Sequence, residues 1–261
     1  MTGGGDMTDF LRLADRLADA AAAVILKHYR TDFDLERKAD ETPVTIADRD
    51  AEKAMRALIE DAYPGHGIIG EEFPDKTPDA EYVWVLDPID GTKSFVTGKP
   101  LFGTLIALAR NGRPVLGIIN APAMGERFAG GEGHPATLNG RPIKTRDIGA
   151  LADAWLYSTS PHLFSAPGDL AAFDRLRGAV HQTIYGGDCY AYGLLSLGTV
   201  DLVCEAELGT YDYAALAPVV EAAGGVITDW QGQPLTLNSD GRVLAAGSQA
   251  VHAAALAALH G

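Results

Sequence analysis

The apolar run Tyr82-Val83-Trp84-Val85-Leu86 stops abruptly at Asp87-Pro88-Ile89-Asp90-Gly91-Thr92. Such a run reads as a buried strand, and its end can present ligands. Pro88 rigidifies the turn that follows, and Gly91 lets the backbone approach a ligand closely. A helix beginning near Asp90 would aim free N–H groups at an anion. With 261 residues, 47% of them hydrophobic, the chain can bury a sizeable core around this strand, expected as two joined lobes.

Two helices are predicted ahead of any strand. Leu11, Leu13, Ala14, Leu17, Ala18, Ala21 and Val24 recur at helical spacing between Asp9 and Tyr29, with Thr8 or Asp9 as cap. A second helix is expected from about Ala47 to Ala62, ended by Tyr63-Pro64-Gly65. From Ile68 the pattern changes to short β-rich runs, at 67–70, 82–86, 102–109 and 115–120, with Asn111-Gly112 as a hairpin turn, and these read as an antiparallel meander. A further turn is expected at Asn139-Gly140-Arg141-Pro142. Beyond Lys144–Gly149, strands near 154–158, 182–185, 200–204 and 226–228 alternate with helices near 169–178, 189–197, 213–223 and 249–260, favouring an α/β second lobe. The expected division is a loose tail over 1–8, a first lobe over 9–146 and a second over 147–261.

Lys and Arg total 21 against 35 for Asp and Glu, a net charge of −14. That balance repels nucleic acid and offers anionic membranes nothing, so small partners are expected. An acidic protein that binds phosphate must neutralise it locally, and a divalent cation does so most simply. The two cysteines, Cys189 and Cys204, form no Cys-x-x-Cys pair, and Ala20–Leu26 is too short and charge-flanked to span a membrane, which fits the cytoplasm.

Magnesium prefers hard oxygen ligands, so Asp87, Asp90 and the Ile89 carbonyl are chemically suited to one or two ions, with the Thr92 hydroxyl nearby. Alone, Asp-x-x-Asp-Gly reads more readily as a turn. Its context argues otherwise: Gly70-Glu71-Glu72 follows a short strand, the run from Lys38 through Thr45 leads to Asp48, and Tyr211-Asp212-Tyr213-Ala214-Ala215 opens a later helix. In type and order these segments resemble those of the inositol monophosphatase family of metal-dependent phosphatases, over nearly the whole chain from residue 9. Tyr211-Asp212 stands where the family usually has Trp-Asp, which keeps the carboxylate.

The resemblance implies a layered αβαβα sandwich and magnesium as cofactor, two or three ions per site. It implies that Glu71, Asp87 and the Ile89 carbonyl hold one ion while Asp87, Asp90 and Asp212 hold another, Asp87 bridging them. Thr92, oriented by Asp48, and Glu71 would position and deprotonate the attacking water; Gly91 and Thr92 N–H groups would receive phosphate oxygens, with Asp90 and Asp212 beside the substrate. Relatives commonly form homodimers. Phosphate monoesters resist attack because anion meets anion, and paired cations lower that repulsion without a covalent nucleophile.

Ser160-Pro161-His162-Leu163-Phe164 and Tyr185-Gly186-Gly187-Asp188-Cys189-Tyr190-Ala191-Tyr192-Gly193 resemble the histidinol-phosphate phosphatase branch of the family, which acts in histidine biosynthesis. A carboxylate at Asp188, joined by Glu205, suits an ammonium better than a polyol. Asp188 also reads as an N-cap for the helix that follows, and Asp212 as a cap for its own. The alternative activity is an inositol-1-phosphate or broad sugar-phosphate phosphatase. A catalytically silent metabolite sensor would be marked by loss of one of Asp48, Glu71, Asp87, Asp90, Thr92 or Asp212, and all are present.

Other patterns carry less. Gly131-Glu132-Gly133-His134-Pro135-Ala136 imitates a dinucleotide loop but reads as a hairpin turn. The seven histidines form no metal-binding pair. A haloacid-dehalogenase-type mechanism needs carboxylates two residues apart, which Asp87 and Asp90 are not.

Overall fold

The computed structural model describes residues 6–31 and 43–261. The stretch Lys38–Thr42, singled out ahead of Asp48, and the first five residues of the tail lie outside the described residues.

Helix α1 spans Met7–Ile25 and is capped by Asp6, whose side chain accepts from Thr8 N at 3.4 Å, two to three residues ahead of the expected cap. It ends at Ile25 because residues beyond Leu26 turn away, and its buried stripe takes in Phe10 and Ile25 where Leu11 and Val24 had been expected. Helix α2, Pro43–Ala62, starts four residues earlier than Ala47, with Pro43 in the first turn, where its missing N–H costs no bond.

The first sheet comprises β1 (Gly67–Gly70), β2 (Tyr82–Asp90), β3 (Gly103–Arg110), β4 (Arg113–Ala121), β5 (Glu126–Gly131), β6 (His134–Leu138) and β7 (Arg141–Pro142), hydrogen-bonded in chain order. Strands β2 to β4 form the expected antiparallel meander, which β5, β6 and β7 extend where only turns had been expected, but β1 lies parallel to β2, since residues 71–81 carry the chain back to β1's own starting end. Asn111-Gly112 and Asn139-Gly140 both take left-handed conformations, as two-residue hairpin turns require. The short helix α3, Thr92–Val96, interrupts the run from β2 to β3.

The second sheet contains β8 (Trp155–Ser158), β9 (Gln182–Tyr185), β10 (Leu202–Glu205), β11 (Val226–Thr228) and β12 (Val243–Ala246), in the order β11-β12-β10-β8-β9. With it come α4 (Asp169–Ala179), α5 (Tyr190–Ser196), α6 (Thr210–Tyr213), α7 (Leu216–Ala222) and α8 (Gln249–His260). The helix expected over 213–223 is thus two, parted at Ala214-Ala215. Strand β12, which pairs antiparallel with both β10 and β11, was not anticipated. It is a four-residue apolar run with no alternation, buried on both faces, and periodicity alone cannot separate such a run from helix.

Alternation along the strands sorts the core into three layers. On β2, Trp84 and Leu86 face α1 and α2, while Val83 and Val85 face α5 and α7. On β12, Val243 and Ala245 join that same middle core, while Leu244 and Ala246 pack with Phe173 and Ala255 of α4 and α8. The result is helix, sheet, helix, sheet, helix: the αβαβα sandwich.

Candidate active site

Strand β2 carries its pairing through to Asp90, so α3 begins at Thr92 and not near Asp90. Asp87 pairs with Leu105 and Asp90 with Gly103, which leaves one extra residue on β2, a β-bulge. In a regular strand, residues three apart point to opposite faces; the extra residue rephases the chain. The Thr104 hydroxyl holds the bulge by donating to the Pro88 carbonyl at 2.9 Å. Carboxylate oxygens of Asp87, Asp90 and Asp212 consequently lie within 4.8 Å of one another.

Asp212 arrives from α6, where its Oδ2 also accepts Gly209 N at 2.6 Å, so it caps its helix and joins the cluster at once. Pairing of Gly70 with Leu86 sets Glu71, the next residue, beside Asp87. Asp48 comes from α2, where it is buried. Thr92 donates its hydroxyl to the Ile89 carbonyl at 3.2 Å, and Ile89's backbone also bonds Asp48. Asp48 therefore reaches Thr92 by way of Ile89's backbone, and the Ile89 carbonyl shares its lone pairs with Thr92.

Crowded carboxylates out of water resist ionisation. Burial, then Glu72 and Glu71, pushes Asp48 up to about 8. Glu71 is open to solvent at the mouth, yet partial desolvation of its carboxyl, followed by the charge of Asp212 and Glu72, lifts it to about 7. Asp87 and Asp90 are raised well above the carboxylate range by burial first and then by Asp90 and Asp212 respectively, and Asp212 is raised by burial. Among the described residues, buried Asp48 Oδ1 and Asp87 Oδ1 have no hydrogen-bond partner. Orphaned acceptors among mutually repelling carboxylates fit a hard divalent cation, which needs such oxygens and relieves the repulsion.

A stability prediction follows, with its sign. Because these folded-state pKa values are raised, the metal-free fold binds more protons than the unfolded chain between about pH 4 and pH 8. Metal-free stability should then fall as pH rises through that window, and saturating magnesium should remove the slope. Melting temperatures from pH 5 to 8, with chelator and with magnesium, check this; parallel curves would contradict it.

Beside the carboxylates lies a cleft of about 170 Å³ lined by Asp90, Asp188, Glu205, Glu207, Tyr192 and Asp212 among others. Asp188 sits at φ 45° and accepts from the Ser94 hydroxyl at 2.7 Å. It does not cap α5, which has no side-chain cap, and the neighbouring Cys189 N–H donates to Asp90 Oδ2 at 2.7 Å. Gly91, at φ 81°, is where the two segments meet, since a Cβ there would stand 3.1 Å from the Asp188 carboxyl carbon. Glu205 is buried, accepts Thr159 N at 2.8 Å and Tyr192 OH at 3.0 Å, and is pushed by burial up to about 7. Glu207, held by Ser165, was missed from sequence. The Glu205-Ala206-Glu207 spacing at a strand end, two carboxylates with a single residue between them, was the signal available.

Asp87 and Asp90 of the first sheet meet Asp212 of α6 beside a cleft that Glu205 of the second sheet also lines, an arrangement chemically suited to a hard cation and a small ligand. The sequence model of the inositol monophosphatase family matches residues 6–261, and the chain belongs to that family of phosphatases. It is 48% identical to the bifunctional phosphatase IMPL2, chloroplastic, of Arabidopsis thaliana, over 97% of this chain and 76% of that protein. It is 39% identical to the histidinol-phosphatase of Streptomyces coelicolor, over 88% of this chain and 90% of that protein. The solved structure of an inositol monophosphatase from Zymomonas mobilis is 50% identical, with a TM-score of 0.92, covering 98% of this chain and 100% of that one. Among the described residues, no helix is long and apolar enough to cross a membrane.

Proposed function

We propose that this protein hydrolyses histidinol phosphate to histidinol and phosphate with magnesium as cofactor. The observation that carries the substrate is the cleft: Asp188, Glu205 and Glu207 line it together with Asp90 and Asp212, and among the described residues no Lys or Arg lines it. A phosphate ester whose organic part bears an ammonium suits such a wall. Histidinol-phosphatases at 35–39% identity support the same reading.

In this reading Glu71, Asp87 and the Ile89 carbonyl hold one ion and Asp87, Asp90 and Asp212 another. Bound there, magnesium supplies neutralising charge and a more acidic water. Glu71, placed beside Asp87, would accept a proton from the attacking water. Thr92 Oγ1, its own proton committed to the Ile89 carbonyl, presents a lone pair that orients that water. The N–H groups of Gly91 and Thr92 receive phosphate oxygens. Asp188 keeps one oxygen for the Ser94 hydroxyl and turns the other toward the ammonium.

The second reading is a polyol phosphate, favoured by the Zymomonas relative's description as an inositol monophosphatase. Chelator-sensitive phosphate release from histidinol phosphate, inositol 1-phosphate and fructose 1,6-bisphosphate, compared by kcat/KM, separates the two. The sharper test is Asp188→Asn, which retains an acceptor for Ser94 while removing the charge. It should raise KM for histidinol phosphate about 10-fold or more, the scale of a lost charge-assisted hydrogen bond, and leave glycerol 2-phosphate unaffected. Equal effects on both esters would sink the ammonium assignment.

A further inference from the structure

We infer that Glu52 and Arg56 of α2 form a positioning device that grips the backbone on both sides of Glu71 and so sets that carboxylate toward the magnesium site. The inference rests on the metal-phosphatase reading above and adds to it two residues that touch neither cation nor substrate.

Glu52 lies one helical turn after Asp48 on the same helix, and its side chain is fully buried. Burying another carboxylate among Asp48, Glu71 and Glu72 works against every charge already there. What holds it is specific. Its Oε1 accepts Arg56 Nε at 2.7 Å and its Oε2 accepts Glu72 N at 2.8 Å. Arg56 extends the grip by donating through Nη2 to the Phe73 carbonyl at 3.1 Å. On the other side of Glu71, a Cβ on Gly70 would stand 2.1 Å from Glu52 Oε1, so the backbone approaches the carboxylate as closely as only glycine allows.

Residues 70, 72 and 73 are therefore all in contact with one buried ion pair, and Glu71 is the residue between them. Strand β1 ends at Gly70, so no ladder hydrogen bond continues into Glu71 to fix its direction. Each Glu52 oxygen accepts one of these hydrogen bonds, and Glu52 lies outside the group of carboxylates that gathers within 4.8 Å among the described residues. A buried ion pair is poor support for stability by itself, and fixing one geometry is its better-attested use.

Glu52→Gln is nearly isosteric but turns one acceptor into an NH2 group, so either Arg56 Nε or Glu72 N must face a donor. The expected result is a magnesium dissociation constant raised about 10-fold by titration calorimetry, within the range for outer partners of metal ligands. The magnesium concentration for half-maximal activity should rise in parallel, with KM for substrate at saturating magnesium unchanged. In a Glu71→Gln background the same substitution should alter magnesium affinity less than about twofold, because coupled positions are not additive. Arg56→Lys keeps the charge yet loses the hold on Phe73, and provides a milder variant expected to move affinity the same way. If wild type binds magnesium while both variants bind it equally well, or if the Glu52 effect is undiminished without Glu71, the positioning role is overturned and the metal-site reading survives. Wild type that neither binds magnesium nor is activated by it would overturn both.

Discussion

Asp87→Asn is expected to reduce magnesium-dependent kcat/KM by at least about 10³-fold, beyond the loss of a single transition-state hydrogen bond, while raising the melting temperature of the metal-free protein. Asp87 is 1% exposed, its Oδ1 has no hydrogen-bond partner among the described residues, and Asp90, Glu71 and Asp212 all oppose its ionisation. Asparagine has nearly the same shape without the charge, so the apo fold loses a source of repulsion. Because a raised folded-state pKa means that ionisation at neutral pH costs stability, the gain should be largest above pH 7 and vanish toward pH 4, where both forms are neutral. A chain of this length gains roughly 2–4 °C for each kcal/mol recovered. Magnesium should stabilise wild type and leave the variant unmoved. Opposite signs for activity and stability are the mark of a site assembled at the fold's expense. Steady-state assays and thermal melts with and without magnesium read both; a variant that keeps activity within 10-fold would remove Asp87 from the centre of the site.

What could be read ahead of the structure divides along a physical line. Asp87, Asp90 and Asp212 were legible because their neighbours form motifs, and the strands flanking Asn111-Gly112 because that turn demands left-handed backbone. The bulge that brings Asp87 and Asp90 to one side was not legible, since it depends on pairing with Gly103 and Leu105 on another strand. Asp188 as a helix cap was a reasonable local reading, but the carboxylate is turned to Ser94, distant in sequence, and α5 has no side-chain cap. Glu52 drew no reading from the sequence, because its partners are brought to it only by the return of the chain at Gly70 and Glu72. The break between α6 and α7 was hidden within an unbroken apolar helical pattern, and it lies where the helix rests on the first sheet.

That break underlies the largest expected loss of stability. Gly117 of β4 pairs with Gly130 of β5, and the two make a flat patch on which the α6–α7 segment lies. A Cβ on Gly117 would stand 2.0 Å from the Ala215 carbonyl oxygen and 2.9 Å from its carbon. Both are backbone atoms, so no side chain can swing aside. Gly117→Ala must lift the chain at Ala215, three residues after Asp212, or spread β4 from its neighbours. Overpacking of this kind costs about 3 kcal/mol or more, which corresponds to a melting point lower by roughly 6–12 °C. Moving Asp212 by as little as about 1 Å should also reduce kcat/KM by about 10²-fold. Gly178→Ala is the control: it lies in α4 with nothing within 4 Å of the added carbon and should be neutral or mildly stabilising. If Gly117→Ala melts and turns over like that control, the helix pair is free to shift on the sheet, and the position of Asp212 is set by the Gly209 cap alone.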